Sequence, residues 1–125
     1  MGREEIVREA WRALSQGDWD AVAAAFAPTA RWVGTVGGPG EFDGRARIVE
    51  VLQEDRALGL DGRVEAVTDA GERAILAFRP TGSRGGRGPL DDGLRYVVLR
   101  FNAEGLITEI KSCRDRVEAL EYAAA

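Results

Sequence analysis

The spacing of apolar residues predicts three helices in the first half of the chain. Apolar positions recur every three or four residues over Glu4–Gln16, with Arg and Glu on the opposite face, which predicts an amphipathic helix. Gly17 suits the left-handed position after that helix, and Asp18 suits the N-cap of the next one. We therefore expect a second, shorter helix over Trp19–Phe26 and a third over Arg45–Ala57.

The second half of the chain alternates in the manner of strands. Pro28 disfavours helix, so Arg31–Val36 is predicted to be the first strand. Four further strands and a short closing helix containing Val117 and Leu120 follow. The predicted strands are Arg63–Asp69, Arg73–Arg79, Leu94–Phe101 and Leu106–Arg114. Helices followed by strands predict an α+β fold, with the helices on one face of a curved antiparallel sheet. We expect residues 1–125 to form a single domain.

The predicted strand Leu94–Phe101 is apolar on both of its faces. A half-buried strand alternates, whereas a strand that is apolar on both sides needs cover on both sides. The three predicted helices cover one face of the sheet. We therefore expect a second subunit to cover the other face, which makes the protein a homodimer.

Composition narrows the range of functions. The net charge of −4 gives no basic surface for nucleic acid, and no apolar run is long enough to cross a membrane. The chain starts directly in a charged helix without a signal peptide, so we expect a cytoplasmic protein. The sequence contains no histidine, which removes the commonest general base and metal ligand. We expect no metal and no cofactor. Cys113 is alone, and we interpret it as a buried small hydrophobic residue.

Four short motifs resemble a known superfamily. They are the corner Leu14–Asp20, the approach Phe26–Trp32, the helix start Phe42–Ile48 and the closing segment Phe101–Glu109. In order and spacing they resemble the nuclear transport factor 2-like superfamily, in its SnoaL-like branch, which is related to polyketide cyclases and ketosteroid isomerases. The resemblance implies a cone, in which a bent sheet wraps around the three N-terminal helices and encloses an apolar pocket. It also implies a small hydrophobic ligand.

The resemblance also implies which residues form the pocket wall. Arg95 shares the parity of Val97 and should point inward near one end of the pocket. The other implied wall residues come from helices one and three and from the first, central and last strands: Ala10, Leu14, Trp32, Gly34, Val51, Leu52, Val97, Leu99, Ile110, Ser112 and Arg114.

The chain departs from the related isomerases at their working positions. Ketosteroid isomerases have a tyrosine on helix one, a base Asp on strand one and a protonated Asp on the central strand. The matching residues here are Ala10, Gly34 and Val97, so neither the base nor the donors that stabilise an enolate are present. The epoxide-hydrolase branch pairs an Arg with an Asp two residues later. This chain has Arg95, but its partner position is Val97.

One carboxylate remains as a candidate base. SnoaL-like cyclases have an inward acid late in the last strand, where this chain has Ser112 or Asp115, depending on register. Asp115 is either a base in the pocket or a structural residue, which caps the closing helix or pairs with Arg114 or Arg116. Asp115 and Arg95 are thus the candidate catalytic residues. The sequence favours binding of a small hydrophobic molecule; the alternative is a cofactor-independent cyclase, isomerase or hydrolase of a polyketide-like or carbonyl compound. It does not decide whether the protein is an enzyme.

Overall fold

The computed structural model describes residues 2–34, 41–59, 61–81 and 93–125. Within these ranges the chain forms four helices and six strands. In chain order the elements are α1 (Arg3–Gln16), α2 (Trp19–Ala24), β1 (Phe26–Val33), β2 (Glu41–Asp43), α3 (Arg45–Ala57), β3 (Gly62–Ala70), β4 (Arg73–Pro80), β5 (Arg95–Phe101), β6 (Ile107–Cys113) and α4 (Arg116–Ala124). The α+β class and the cone-shaped, curved sheet are confirmed.

The corner between α1 and α2 forms as predicted. Gly17 has φ of 72°, and its N–H donates to the carbonyls of Ala13 and Leu14, which would otherwise be unpaired at the helix end. The Asp18 carboxylate caps α2 by accepting from the Ala21 N–H at 3.3 Å. These two residues therefore end α1 and begin α2 within one short turn.

The first strand begins earlier than predicted. Phe26 lies in β1 opposite Ile107 rather than in α2, and the predicted residues Thr35 and Val36 lie outside the described part of the chain. The pairing of β1 with β6 shifts register between Phe26 and Arg31. Pro28 lies in this shifted segment. Proline has no N–H to donate to a neighbouring strand, so strands tolerate it where their regular hydrogen bonding is interrupted, as at this register shift.

The sheet has the order β2-β1-β6-β5-β4-β3 and is mixed. The expectation of a purely antiparallel sheet is wrong at one pair, since β1 runs parallel to β6. Strand β2 was not predicted, because three residues are too few to show alternation. It pairs antiparallel with β1, where Arg31 forms ion pairs of 3.1 Å with both Glu41 and Asp43.

The sheet has apolar layers on both faces. Helices α1, α2 and α3 pack on the inner face, around buried residues such as Ile48 and Leu99. On the outer face, a second cluster contains Val98 and Cys113 of the sheet together with Ala119 of α4. Strand β5 is apolar on both parities because α4, from the same chain, covers its outer face. The cover that was expected from a second subunit is therefore supplied by α4 of the same chain. The homodimer stays a prediction.

Polar contacts hold α4 against the sheet. The Tyr122 hydroxyl donates to the Glu109 carboxylate, and Arg73 donates to the Ala123 carbonyl at 3.2 Å. The Arg73 guanidinium and the Lys111 ammonium also lie 5.7 and 5.8 Å from the Tyr122 ring centre. None of the described helices combines the length and the apolar character needed to cross a membrane.

Candidate functional site: an apolar cavity inside the cone

A cavity of about 550 Å³ lies between the inner face of the sheet and the helices. Its wall is mainly apolar and is built from α1, α3 and the central strands. Arg95 lies on this wall, as its parity predicted. Most of the expected pocket residues lie there too: Ala10, Leu14, Trp32, Val51, Leu52, Val97, Leu99, Ile110 and Ser112. Their role in ligand binding stays a prediction.

Two predicted pocket residues, Gly34 and Arg114, lie outside the cavity wall, because β1 and β6 end earlier than the predicted strands. Strand β1 ends at Val33, and Gly34 has φ of 63°, so a side chain there would meet the Lys111 ammonium instead of the cavity. Strand β6 ends at Cys113. The Arg114 side chain is therefore 80% exposed and forms an ion pair of 2.8 Å with Glu118.

Asp115 occupies the N-cap of α4. Its carboxylate accepts from the Glu118 N–H at 2.9 Å, and the residue is exposed. Of the two alternatives drawn from the sequence, the geometry is that of a helix cap. The carboxylate that was the candidate base is thus not brought to the cavity.

The structure places another carboxylate, Asp55 of α3, on the cavity wall. Burial raises the pKa of Asp55, and the neighbouring negative charge of Glu54 raises it further. Beside it, Arg56 forms an ion pair of 3.4 Å with Asp61 and donates to the Ser15 carbonyl. No cation in the described residues forms an ion pair with Asp55. The sequence pattern did not indicate Asp55, because the prediction for α3 named only apolar residues as facing inward.

A polar pair lies in the apolar wall, where β1 and β6 run side by side. The Trp32 indole N–H donates to Ser112 Oγ at 2.9 Å. The Trp32 ring also lies edge-on to Phe42, with ring centres 5.9 Å apart. Both contacts fix the orientation of the indole against the cavity.

Trp11 of α1 forms another part of the wall, next to β3 and β4. Its indole N–H donates to the Gly62 carbonyl at 3.1 Å, and its ring lies 4.9 Å from the Phe78 ring. A side chain at position 62 would lie 3.0 Å from Phe78 and 3.1 Å from Trp11, so glycine is needed for this close approach. Helical spacing places Trp11 on the apolar face of the predicted helix Glu4–Gln16 but does not indicate the cavity.

The remaining candidate groups show no sign of reactivity. Cys113 is 2% exposed, and burial raises its pKa to about 11, so its thiol is un-ionised at neutral pH. Its interpretation as a buried small hydrophobic residue is confirmed. Among the described residues, no group of three or more His, Cys, Asp or Glu side chains is placed to hold a metal ion.

Comparison with known proteins identifies the family. Residues 7–110 match the SnoaL-like domain, which covers most of the chain. The chain belongs to the SnoaL-like domain family. A comparison with curated protein sequences finds no match. The resemblance noted from the four sequence motifs is thereby confirmed.

Solved structures share the fold of this SnoaL-like protein at low sequence identity. A candidate polyketide cyclase from Sinorhizobium meliloti has 18% identity and a TM-score of 0.73, covering 87% of this chain and 94% of that chain. A candidate ketosteroid isomerase from Kribbella flavida has 19% identity and a TM-score of 0.72, covering 88% and 75%. TerC, co-crystallised with polyporic acid, has 17% identity and a TM-score of 0.72, covering 98% of both chains. Identities this low show a common fold alone.

Proposed function

We propose that this SnoaL-like protein binds a small hydrophobic molecule in the cavity of its cone. The observation that carries the proposal is the cavity itself, which combines about 550 Å³ with a mainly apolar wall and few polar groups. Pockets for small molecules typically have volumes of about 300 to 1,000 Å³ and this kind of lining. TerC, which shares the fold, was co-crystallised with polyporic acid, and this supports the proposal.

The proposal is tested by filling the cavity. The unsubstituted protein is expected to bind fluorene, a flat apolar probe, in equilibrium dialysis. Ala10→Phe places a ring in the cavity from α1 and is expected to weaken fluorene binding at least tenfold. Ala57→Phe makes the same change at an exposed position of α3 and is expected to leave binding unchanged. Circular dichroism shows whether each variant is folded.

Two results would contradict the proposal. One is that the unsubstituted protein does not retain fluorene. The other is that folded Ala10→Phe and Ala57→Phe bind fluorene as well as each other, because the probe would then lie outside the cavity.

A second candidate function is cofactor-independent chemistry on a carbonyl compound, as in a cyclase, isomerase or hydrolase. The observation that favours it is Asp55, a carboxylate on the cavity wall whose raised pKa strengthens it as a base. Asp55 would take an acidic proton from the carbon next to the carbonyl group. The electron pair of that C–H bond would move to the carbonyl oxygen and form an enolate, and the proton would return to carbon.

Hydrogen–deuterium exchange tests this second function. In D₂O, 1-indanone is expected to exchange the protons next to its carbonyl faster with the protein than without it. Asp55→Asn is expected to abolish the added rate. Asp69→Asn, an equivalent change at an exposed position of β3, keeps it. Equal rates with the unsubstituted protein and with Asp55→Asn would exclude Asp55 as the base.

A further inference from the structure

Ser112 occupies a position where its hydroxyl group meets both an indole and the cavity. It is a residue of β6, opposite Val97 of β5, and it lies on the cavity wall. On its other side, β1 runs parallel to β6 and places Trp32 opposite Ile110, two residues before Ser112. Around it the wall is apolar, with Leu99 opposite Ile110.

The direction of the hydrogen bond between Trp32 and Ser112 is fixed by chemistry. An indole nitrogen donates and never accepts, so Ser112 Oγ must accept the bond of 2.9 Å. A hydroxyl group has one proton, which this contact leaves unused. In the part of the chain that the structure describes, that proton has no acceptor, since the bond from Trp32 is the one hydrogen bond of the Ser112 side chain. Accepting the indole N–H also polarises the hydroxyl and makes it a stronger donor.

We infer that the Ser112 hydroxyl donates a hydrogen bond to an acceptor oxygen of the molecule in the cavity, and that Trp32 orients this hydroxyl. The class of ligand is then a hydrophobic compound with a ketone, quinone or enolate oxygen. The inference rests on the proposed function, because it needs a small hydrophobic molecule in the cavity. It adds the polar group that such a molecule must have and the residue that recognises it.

A purely structural role of Ser112 makes a different prediction. If Ser112 served only to accept the N–H of a half-buried indole, its removal would lower stability but would weaken all ligands alike. If its hydroxyl recognises an oxygen, removal weakens ligands that carry the oxygen and spares those that lack it. A pair of ligands with the same shape separates the two roles.

Fluorenone and fluorene form such a pair, since they differ by a carbonyl group in place of a methylene group. Equilibrium dialysis of the whole chain gives both dissociation constants. We expect Ser112→Ala to weaken fluorenone by about three- to tenfold, the usual effect of one neutral hydrogen bond, and to leave fluorene unchanged. Ser112→Thr keeps a hydroxyl group and is expected to restore the preference for fluorenone. In infrared spectra, the carbonyl stretch of bound fluorenone should lie at lower frequency in the unsubstituted protein than in Ser112→Ala.

Trp32→Phe tests the orienting role. It keeps the hydroxyl but removes the N–H that holds it, so fluorenone should lose affinity relative to fluorene, by less than in Ser112→Ala. An equal loss for both probes would overturn the orienting role of Trp32.

The outcomes separate failure of this inference from failure of the proposed function. If fluorene binds in the cavity but Ser112→Ala changes fluorenone and fluorene equally, the inference is overturned and the proposed function stands. If the unsubstituted protein binds neither probe, both are overturned. Selective loss of fluorenone, with recovery in Ser112→Thr, supports both.

Discussion

Replacing Val98 by alanine tests whether α4 is the outer cover of the sheet. Val98 is 1% exposed and packs in the cluster that contains Ala119 of α4. The substitution removes two methyl groups, and at about 0.8 kcal/mol for each the transfer loss is about 1.6 kcal/mol. The cavity left behind raises the expected loss in the free energy of unfolding to about 2–3 kcal/mol. For a domain of this size the melting temperature should fall by roughly 6–12 °C.

The matched control is the same change on the outer side of α4. Val117 is 64% exposed, so Val117→Ala should change the free energy of unfolding by less than about 0.5 kcal/mol. Urea unfolding followed by circular dichroism measures both variants. A loss below about 1 kcal/mol for Val98→Ala would refute the reasoning that α4 buries this face. A large loss for Val117→Ala, dependent on protein concentration, would instead mean that a second subunit covers α4.

Four further predictions follow from the site and its surroundings. The pKa of Asp55 is raised above its ordinary value of 3.8, so above pH 3.8 the folded state binds more protons at this carboxyl group than the unfolded state does. Asp55 therefore stabilises the fold at low pH. This stabilisation is lost as the pH rises through the raised pKa. Asp55→Asn should therefore gain stability relative to the unsubstituted protein between about pH 4 and pH 7; a constant or opposite difference in urea titrations would contradict this. Asp115→Ala should lower the free energy of unfolding by about 0.5–2 kcal/mol, because α4 loses its cap, and should leave fluorene binding unchanged. Weaker fluorene binding would mean that Asp115 contributes to the cavity. Cys113, buried and with its pKa raised to about 11, should react with a thiol reagent at pH 8 only on unfolding, and rapid labelling of the folded protein would contradict its burial. The homodimer is expected to appear in light scattering at micromolar concentration, and a monomer there would end that prediction.

The parts of the fold that could be predicted from the sequence are those fixed by local chemistry. Gly17 and Asp18 form the predicted helix corner, because a left-handed glycine and a carboxylate cap need only their immediate neighbours. The resemblance placed Val97 and Leu99 on the pocket wall, and the two-residue period of a strand then placed Arg95 on the same side; all three lie on the cavity wall. Period-two patterns are reliable within a strand because a shift of one residue would turn the whole apolar set outward.

The errors arise where the structure depends on distant residues or on the point where a strand stops. The resemblance placed Gly34 and Arg114 on the pocket wall, within strands that were predicted to continue to Val36 and Arg114, but β1 ends at Val33 and β6 ends at Cys113. The parallel pairing of β1 with β6 joins segments far apart in sequence, and nothing local indicates its direction. Asp55 has charged neighbours in α3, and its place on the cavity wall depends on the packing of this helix against distant parts of the chain.

The cavity places its polar groups differently from the isomerases that the sequence resembles. The resemblance puts a protonated acid of those enzymes at the position of Val97, which has no donor. Ser112 lies opposite Val97 across the β5–β6 pair and carries a donor into the same wall. A neutral hydroxyl group can donate a hydrogen bond to a ketone oxygen. It stabilises the negative charge of a forming enolate less than a protonated acid does, because a hydrogen bond to a charged oxygen is stronger when the donor is more acidic. The proposed recognition of an oxygen-bearing ligand therefore rests on Ser112 and Trp32, whereas the proposed turnover would also require Asp55 to move a proton.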